Sequence, residues 1–524
     1  VTTEVFDDFY ETSRGVYLDK LKKDYLSLLN TPAYGEKSVL SLYEKSPQEV
    51  FLVLVSHKGD YVSSTTIDST KDDVVENLTT VLGDIVKSID LGAVALPLSL
   101  SSRQLEKFFK KALENLKKSE SIPLVYVSSR GIPQFIGKPE AKFNLPSEKE
   151  SGKIDNFILS AFRLAKRLQD PLYEYAEHEP SKLLDVPSFI ESEALDKELF
   201  KILSFAVCRT GIEPKNISPG LIQNLNWFKE DAGETTEELF KFSLDFRSTA
   251  TEEKKNLEAL IPKTFSRFSK FFKFPNALNL LDKSRVSAQD FSKIKDFCKD
   301  NEISLLKGPL ETSNEKWPAL FEKDWVNYIN YELSAPFKDQ RKDYKIFSFS
   351  KSAFALEDLV VDNLYWGVVS KFSSFGAFVD LGVGVNGLVH LSELSNEYVS
   401  DPRKVLRLDQ WILIKLLKVD VKSKQISLSK TKADQRNGSK RDSNRDGSYK
   451  NSNKGSYKSG DKNNSSYKGN KSGYQGKGTG KSKRFDKSEG SKGRKPFDKN
   501  SSGKKRSTRP FNNPFAQALG DLKD

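Results

Sequence analysis

Leu364-Tyr-Trp-Gly-Val-Val-Ser-Lys-Phe-Ser-Ser-Phe-Gly-Ala-Phe-Val-Asp-Leu-Gly382, followed by Asn386-Gly-Leu-Val-His-Leu-Ser-Glu-Leu394, is the stretch on which the reading of this chain turns. Its apolar residues are β-branched or aromatic and fall in short runs broken by Gly, Ser and Asn, the pattern of closely spaced strands. Five strands are predicted: Tyr365–Ser370, Ala377–Leu381, Gly387–Leu391, Trp411–Val419 and Gln425–Ser429. Five strands within roughly seventy residues suit a small closed β-barrel of the OB type.

Phe375 and Phe378 flank Gly376-Ala377, where small residues let another chain come close. His390 ends the third strand, and the last hairpin carries Asp420 and Lys424. A lone Phe is most often a core residue. Two rings on one barrel face beside an imidazole and a cation instead make a surface on which unpaired bases stack and a phosphate backbone runs.

Gly367-Val, Phe375-Gly-Ala-Phe-Val, Gly387-Leu-Val-His-Leu-Ser and Ile426-Ser-Leu-Ser, in that order, resemble the signature of the S1 RNA-binding domain. The resemblance implies RNA contacts from Phe375, Phe378, His390, Asp420 and Lys424. Glu397-Tyr-Val-Ser-Asp-Pro-Arg-Lys-Val405, between the third and fourth strands, is similar in wording to the bacterial Tex family of transcription accessory proteins.

At 524 residues the chain should hold three or four domains. Its net charge of +12 is unevenly placed: residues 431–524 carry 25 Lys and Arg against 9 Asp and Glu, and the first 430 carry 59 against 63. A polyanionic partner is therefore expected of the tail, not of the whole body. Two cysteines, Cys208 and Cys298, cannot staple a secreted scaffold and fit a reducing cytoplasm. The three histidines are far apart in sequence, and neither a metal nor a cofactor is expected. No apolar run reaches the length of a membrane span, so no membrane partner is expected, and the opening Val1–Asp8 does not read as a signal peptide.

Before the barrel, Tyr10–Leu29 has helical periodicity and is predicted as a connecting helix within residues 1–35. Val39–Tyr43, Val50–Ser56 and Tyr61–Ile67 read as strands, Val74–Ile89 as a helix, Ala93–Leu96 as a strand, Ser102–Lys117 as a helix and Pro123–Val127 as a strand. Strands giving way to alternating helix and strand suggest an RNase H-like α/β sheet over 36–175. The run Arg167-Leu-Gln-Asp-Pro-Leu172 resembles the one that closes the resolvase-like (YqgF-type) domain of Tex.

Nucleases of that fold need clustered carboxylates to hold metal on the phosphodiester. The resemblance places two of the family's acids at Tyr43 and Ser129, and leaves Asp170 as the third. Glu44 cannot replace Tyr43, because neighbouring strand residues face opposite ways. One carboxylate does not build a two-metal site. Asp170, before Pro171, is expected to cap or turn the chain, and no catalytic residue is assigned.

Residues 176–357 read as helical, with helices expected at Leu195–Val207, Pro219–Phe228, Thr236–Phe246, Glu253–Leu260, Phe265–Phe272 and Ala288–Lys299. The resemblance implies helix-hairpin-helix units here. The hairpin glycine expected after Leu225 is replaced by Asn226-Trp227, and a second unit near Ile261 has lost its glycines. Loss of Gly hinders close backbone approach to phosphate, so packing is the expected role. Glu311–Glu357 is predicted as a helical bridge whose aromatics serve as core. Residues 358–432 form the barrel domain.

The tail, 433–524, is rich in Lys, Gly, Ser and Asn and repeats Ser-Tyr-Lys three times. Almost without aliphatic residues from about Asp434 to Ser507, it is expected to be disordered. Its spaced rings and cations suit a weak RNA-binding arm, though a solubilising linker has the same composition. Phe511, Phe515, Leu519 and Leu522 predict a short terminal docking helix.

The expectation is a multidomain, non-enzymatic, cytoplasmic RNA-binding protein. Its partner is single-stranded RNA, with DNA, RNA polymerase and the ribosome as further candidates. The alternatives are a metal-dependent RNase H-like nuclease and a non-catalytic protein-docking scaffold.

Overall fold

The computed structural model describes residues 2–99, 101–136, 154–213, 218–225, 323–334, 339, 341, 343–431 and 433, and within 280–301 all but 282, 285 and 287–289. The α/β layer is built from β1 (Ser38–Ser46), β2 (Glu49–Val55), β3 (Tyr61–Ile67), α2 (Val74–Ser88), β4 (Leu91–Pro97), α3 (Ser102–Asn115), β5 (Leu124–Val127), α4 (Ile132–Phe135) and α5 (Asn156–Gln169). The sheet order is β3-β2-β1-β4-β5; β1 pairs antiparallel with β2 and parallel with β4. A parallel sheet is covered on both faces, and strict alternation along each strand supplies two cores. Leu40, Leu42, Leu52, Leu54, Val94 and Leu96 pack beneath α2 and α3. Val39, Val53, Val55, Ala93, Ala95 and Val125 pack beneath α5. Ser41 shares the α5 face, and its hydroxyl donates to the Ala161 carbonyl at 2.6 Å, so a small polar residue brings helix and strand close.

The predicted amino-terminal helix is α1 (Thr2–Leu29), which does more than connect. Leu21, Tyr25, Leu28 and Leu29 enter a helical core with Leu195, Leu199 and Leu203 of α8 (Ser192–Thr210) and with α6 (Pro171–Tyr175), α7 (Pro180–Leu183) and α9 (Pro219–Asn224). The Ser218 hydroxyl caps α9 by accepting from Leu221 N at 3.2 Å. Asn226-Trp227, the region of Ile261 and the three helices expected between 236 and 272 lie outside the described residues. Farther on, α10 (Phe291–Asp300) and α11 (Lys323–Ser334) share a small core of Ile294, Phe297, Val326, Ile329 and Leu333.

The bridge into the barrel differs from expectation. It is helical in α11, but from residue 343 it runs without regular structure to a single 3-10 turn at Leu356–Asp358. Its aromatics serve as core only in part: Phe349 is buried with the core beneath α2 and α3 and Tyr344 packs against the core beneath α5, but Tyr328 and Tyr331 are exposed. Helical spacing turns Val326, Ile329 and Leu333 inward, and these two tyrosines fall on the other side.

The barrel is closed in the order β10-β8-β7-β6-β9, from β6 (Leu364–Ser373), β7 (Gly376–Asp380), β8 (Asn386–His390), β9 (Trp411–Asp420) and β10 (Gln425–Ser429). Val369, Ala377, Val379, Val389, Ile414, Leu416 and Leu428 fill it. Gly376 is required by crowding: a Cβ there would lie 2.2 Å from the Val389 carbonyl oxygen. The barrel docks on the α/β layer through Asp409, which accepts from Ser128 Oγ at 2.6 Å and from Arg130 Nε at 3.1 Å. Arg103 donates to the carbonyls of Ser350 and Ala353 in the bridge, and Tyr126, Phe349 and Trp411 join rings across the junction. Residues 433–524, apart from Ala433, lie outside the described residues, and with them the expected tail and terminal helix.

Candidate nucleic-acid interface

Because Ala377 and Val379 point into the barrel, Phe378 points out. The same alternation turns Leu388 and Ser427 outward, and a one-residue irregularity at Ser370 in β6 and at Leu417 in β9 turns Lys371 and Lys418 to that face. Register then aligns them: Lys371 pairs with Phe378, Phe378 with Leu388, Leu388 with Ser427, and Ser427 with Lys418. The result is one transverse row across the barrel, with a ring and an aliphatic side chain in the middle and an exposed ammonium group at each end. Bases stack on rings and phosphates meet cations, so the row has the layout of a single-strand platform.

One step along the strands, Gly376 pairs with His390, which places the imidazole beside the Phe375-Gly376 corner. The Phe375 ring, 46% exposed, meets Phe378 edge to face with centroids 6.1 Å apart. His390 Nδ1 lies 3.0 Å from the Ser392 hydroxyl and accepts from its backbone N–H at 3.4 Å. An Nδ1 used as acceptor puts the neutral ring's proton on Nε2, the nitrogen left for a ligand.

Asp420 and Lys424 are elsewhere. They flank the β9–β10 turn, and Lys424 is three residues before Ser427, about 10 Å along β10 from the Phe378 row and on the side away from His390. Asp420 Oδ1 accepts from Lys422 N at 3.0 Å and Ser423 N at 3.2 Å, bonds that hold its carboxyl below the ordinary value. Lys424 takes a left-handed backbone, φ +52°. The fold thus gathers Phe375, Phe378 and His390 and sets this pair at the far edge. Lys371, Leu388, Lys418 and Ser427 were missed from sequence. Alternation marks only Leu388 and Ser427 as outward; the lysines reach that face through the irregularities in β6 and β9, and register puts all four in one row.

At the site where an RNase H-like sheet would carry acids, burial pushes the Tyr43 phenol up, and the nearby Ser129 hydroxyl works against that shift. The Tyr43 ring is 6.1 Å from that of Phe157, which in turn stacks on Phe51 at 5.7 Å. Glu44 faces the opposite side of the sheet from Tyr43, since Leu42 and Tyr43 belong to different cores. Grouping Asp170 with Tyr43 and Ser129 is corrected by the structure. Phe157 begins α5 beside Tyr43, and Asp170 follows its end, about 20 Å away along the axis. Asp170 caps α6, accepting from Leu172 N at 3.1 Å, and takes a two-pronged bond from Arg341 at 2.6 and 3.0 Å. The acid at the Tyr43 end is Asp155, the cap of α5. Among the described residues no group of three or more His, Cys, Asp or Glu could hold a metal ion.

A buried ion cluster joins α5 to the helices. Arg163 meets Glu177 at 2.7 Å, Arg167 meets Glu174 at 2.6 Å, and His178 Nε2 is 2.7 Å from Glu174. Burial alone would push the Glu174 carboxyl up, but Arg167 and His178 outweigh it and hold the group at about 2. Arg167 also donates to the Ser128 and Arg130 carbonyls, both at 2.7 Å, and so braces the turn that grips Asp409.

Comparison with known proteins agrees with this architecture. Residues 359–431 match the S1 RNA binding domain. The transcriptional accessory protein Tex of Neisseria gonorrhoeae is 26% identical over 378 residues, 70% of this chain and 48% of that protein. The protein Tex of Bordetella pertussis is 24% identical over 456 residues, 82% of this chain and 54% of that protein. The chain therefore spans about half the length of these relatives. The small ribosomal subunit protein bS1 of Staphylococcus haemolyticus is 44% identical over 79 residues, 15% of this chain and 20% of that protein. This chain, with an S1 barrel at its carboxyl-terminal side, is thus similar over most of its length to the Tex transcription accessory proteins.

Proposed function

We propose that this chain is an RNA-binding accessory protein of transcription or translation that holds single-stranded RNA on the outward face of its S1 barrel. The observation that carries the reading is the row Lys371–Phe378–Leu388–Ser427–Lys418 with Phe375 and His390 beside it. A wall with a central ring and flanking cations suits unpaired bases, because a duplex keeps its base faces hidden. Asp420 and Lys424 extend the contact at the far edge. The basic segment 431–524 adds affinity through counterion release. Names of relatives point to transcription through Tex and to the ribosome through bS1, which makes RNA polymerase and the ribosome the partners to test.

In this reading the α/β layer supports the barrel and does no chemistry. Tyr43 and Ser129 stand where the acids would be, and Asp170 is committed to a cap and to Arg341 at the other end of α5. A cytoplasmic setting accords with two cysteines that are not bridged and with the lack, among the described residues, of a helix long and apolar enough to cross a membrane.

The test is an anisotropy titration of the full chain with single-stranded RNA, duplex RNA and DNA. Single-stranded RNA should bind best, and Phe378→Ala should weaken it about tenfold, the loss of one stacked base. Equal affinity for duplex and single strand, unchanged by Phe378→Ala, would reject the barrel as the site.

A further inference from the structure

The outward side of β7 continues beyond Phe378 to Asp380, about 7 Å along the strand. There the barrel surface meets the α/β layer in a cleft of about 360 Å³. Ser370 and Asp380 line it from the barrel, and Ser129, Arg130, Gln134 and Lys182 from the opposite wall. That volume is at the small end of ligand pockets, which run from about 300 to 1,000 Å³, and suits a single nucleotide.

Charge is arranged across the cleft. Arg130 is taken up by Asp409. Lys182 is exposed, Gln134 is exposed, and Asp380 is 8% exposed, with Oδ1 accepting from Gly382 N at 2.8 Å. A cation outside and acceptors within suit a nucleotide whose phosphate stays in solvent while its base edge, carrying N–H donors, turns inward. The walls are held relative to each other by Asp409 on Ser128 and Arg130 and by Arg103 on the bridge. A site held open in this way needs little ordering when its ligand arrives.

We propose that this cleft is a second nucleotide subsite: an RNA strand lying on Phe378 runs on along β7 and seats its next nucleotide between the barrel and the edge formed by α4 and α7. The base meets Ser370, Asp380 and Gln134, and Lys182 meets the phosphate. The inference rests on the RNA-binding reading of the barrel face.

The experiment uses the full chain and single-stranded RNA oligonucleotides of about four and about eight nucleotides, lengths within the span of one OB-type barrel. Gln134→Ala combined with Lys182→Ala, both at exposed positions, should weaken both oligonucleotides, because four nucleotides already reach the cleft from Phe378. The drop should be about fivefold or more for each. With 4-thiouridine placed at each end of the long oligonucleotide in turn, one end should crosslink to the peptide containing 129–134. If the double variant keeps the parent's affinity at both lengths, or if both ends crosslink only to barrel peptides while Phe378→Ala still weakens binding, the cleft is rejected and the barrel stands. If Phe378→Ala changes neither length, both readings fall together.

Discussion

Single residues set the limits of this architecture. Gly376 lies where the β7 backbone passes β8, and Gly376→Ala would force its methyl group to within 2.2 Å of the Val389 oxygen. The barrel should lose about 1–3 kcal/mol, as overpacked sites do, read as a lower thermal midpoint. Glu174 has a different reach. Its carboxyl titrates at about 2 when folded against an ordinary 4.5. A depressed acid contributes stability that is complete above pH 4.5 and is lost as the pH falls toward 2. Glu174→Gln should cost about 3–5 kcal/mol at neutral pH, since Arg167 stays buried without its counter-ion. The gap between variant and parent, followed by denaturant unfolding against pH, should close below pH 4.5. A gap independent of pH would show that the pair does not govern acid stability. Tyr17 illustrates the opposite shift: burial and its bond to Asp401 push the phenol up to about 12.

At the scale of elements, α5 decides what the α/β layer can do. Its fourteen residues separate the Tyr43–Ser129 pair from Asp170, so positions that look like parts of one site occupy opposite ends of a helix. Asp170→Ala removes the cap of α6 and one of two carboxylates on a buried Arg341, and should cost about 1–3 kcal/mol. RNA affinity should be unaffected, and so should any hydrolysis of nucleic acid with added Mg²⁺. A parent chain whose metal-dependent cleavage is lost in this variant would restore the nuclease alternative. The barrel strands show how much was legible locally. All five were expected within three residues of their observed ends, because alternation and turn residues are properties of consecutive positions. The Tyr328 and Tyr331 pair was misread because aromatic content was weighed without helical phase.

For the whole molecule, the question is how the barrel is carried. Asp409 is gripped by Ser128 and Arg130, Arg130 and Ser128 are held by Arg167, and Arg403 meets Asp185 at 2.7 Å. Asp409→Ala should loosen this docking without unfolding either part. Limited proteolysis should then cut the 343–363 bridge several times faster while four-nucleotide RNA binding persists. Unchanged cleavage would mean that the aromatic contacts of Tyr126, Phe349 and Trp411 suffice. In the proposed function the basic segment 431–524 contributes through its charge. Removing residues 433–524 should flatten the dependence of RNA affinity on salt, and an unchanged slope would exclude it from contact.

Local chemistry was sufficient to specify the barrel, the alternating α/β layer, the turn-forming role of Asp170 and the concentration of charge near the carboxyl end, since each is written in neighbouring residues. Phe375, Phe378 and His390 were legible in the same way, because a strand's outward positions follow from its inward ones. Register and docking are relations between residues far apart in the chain. The lysines flanking Phe378, the distance from Tyr43 to Asp170 and the cleft between Asp380 and Lys182 therefore came into being only when strands paired and layers packed.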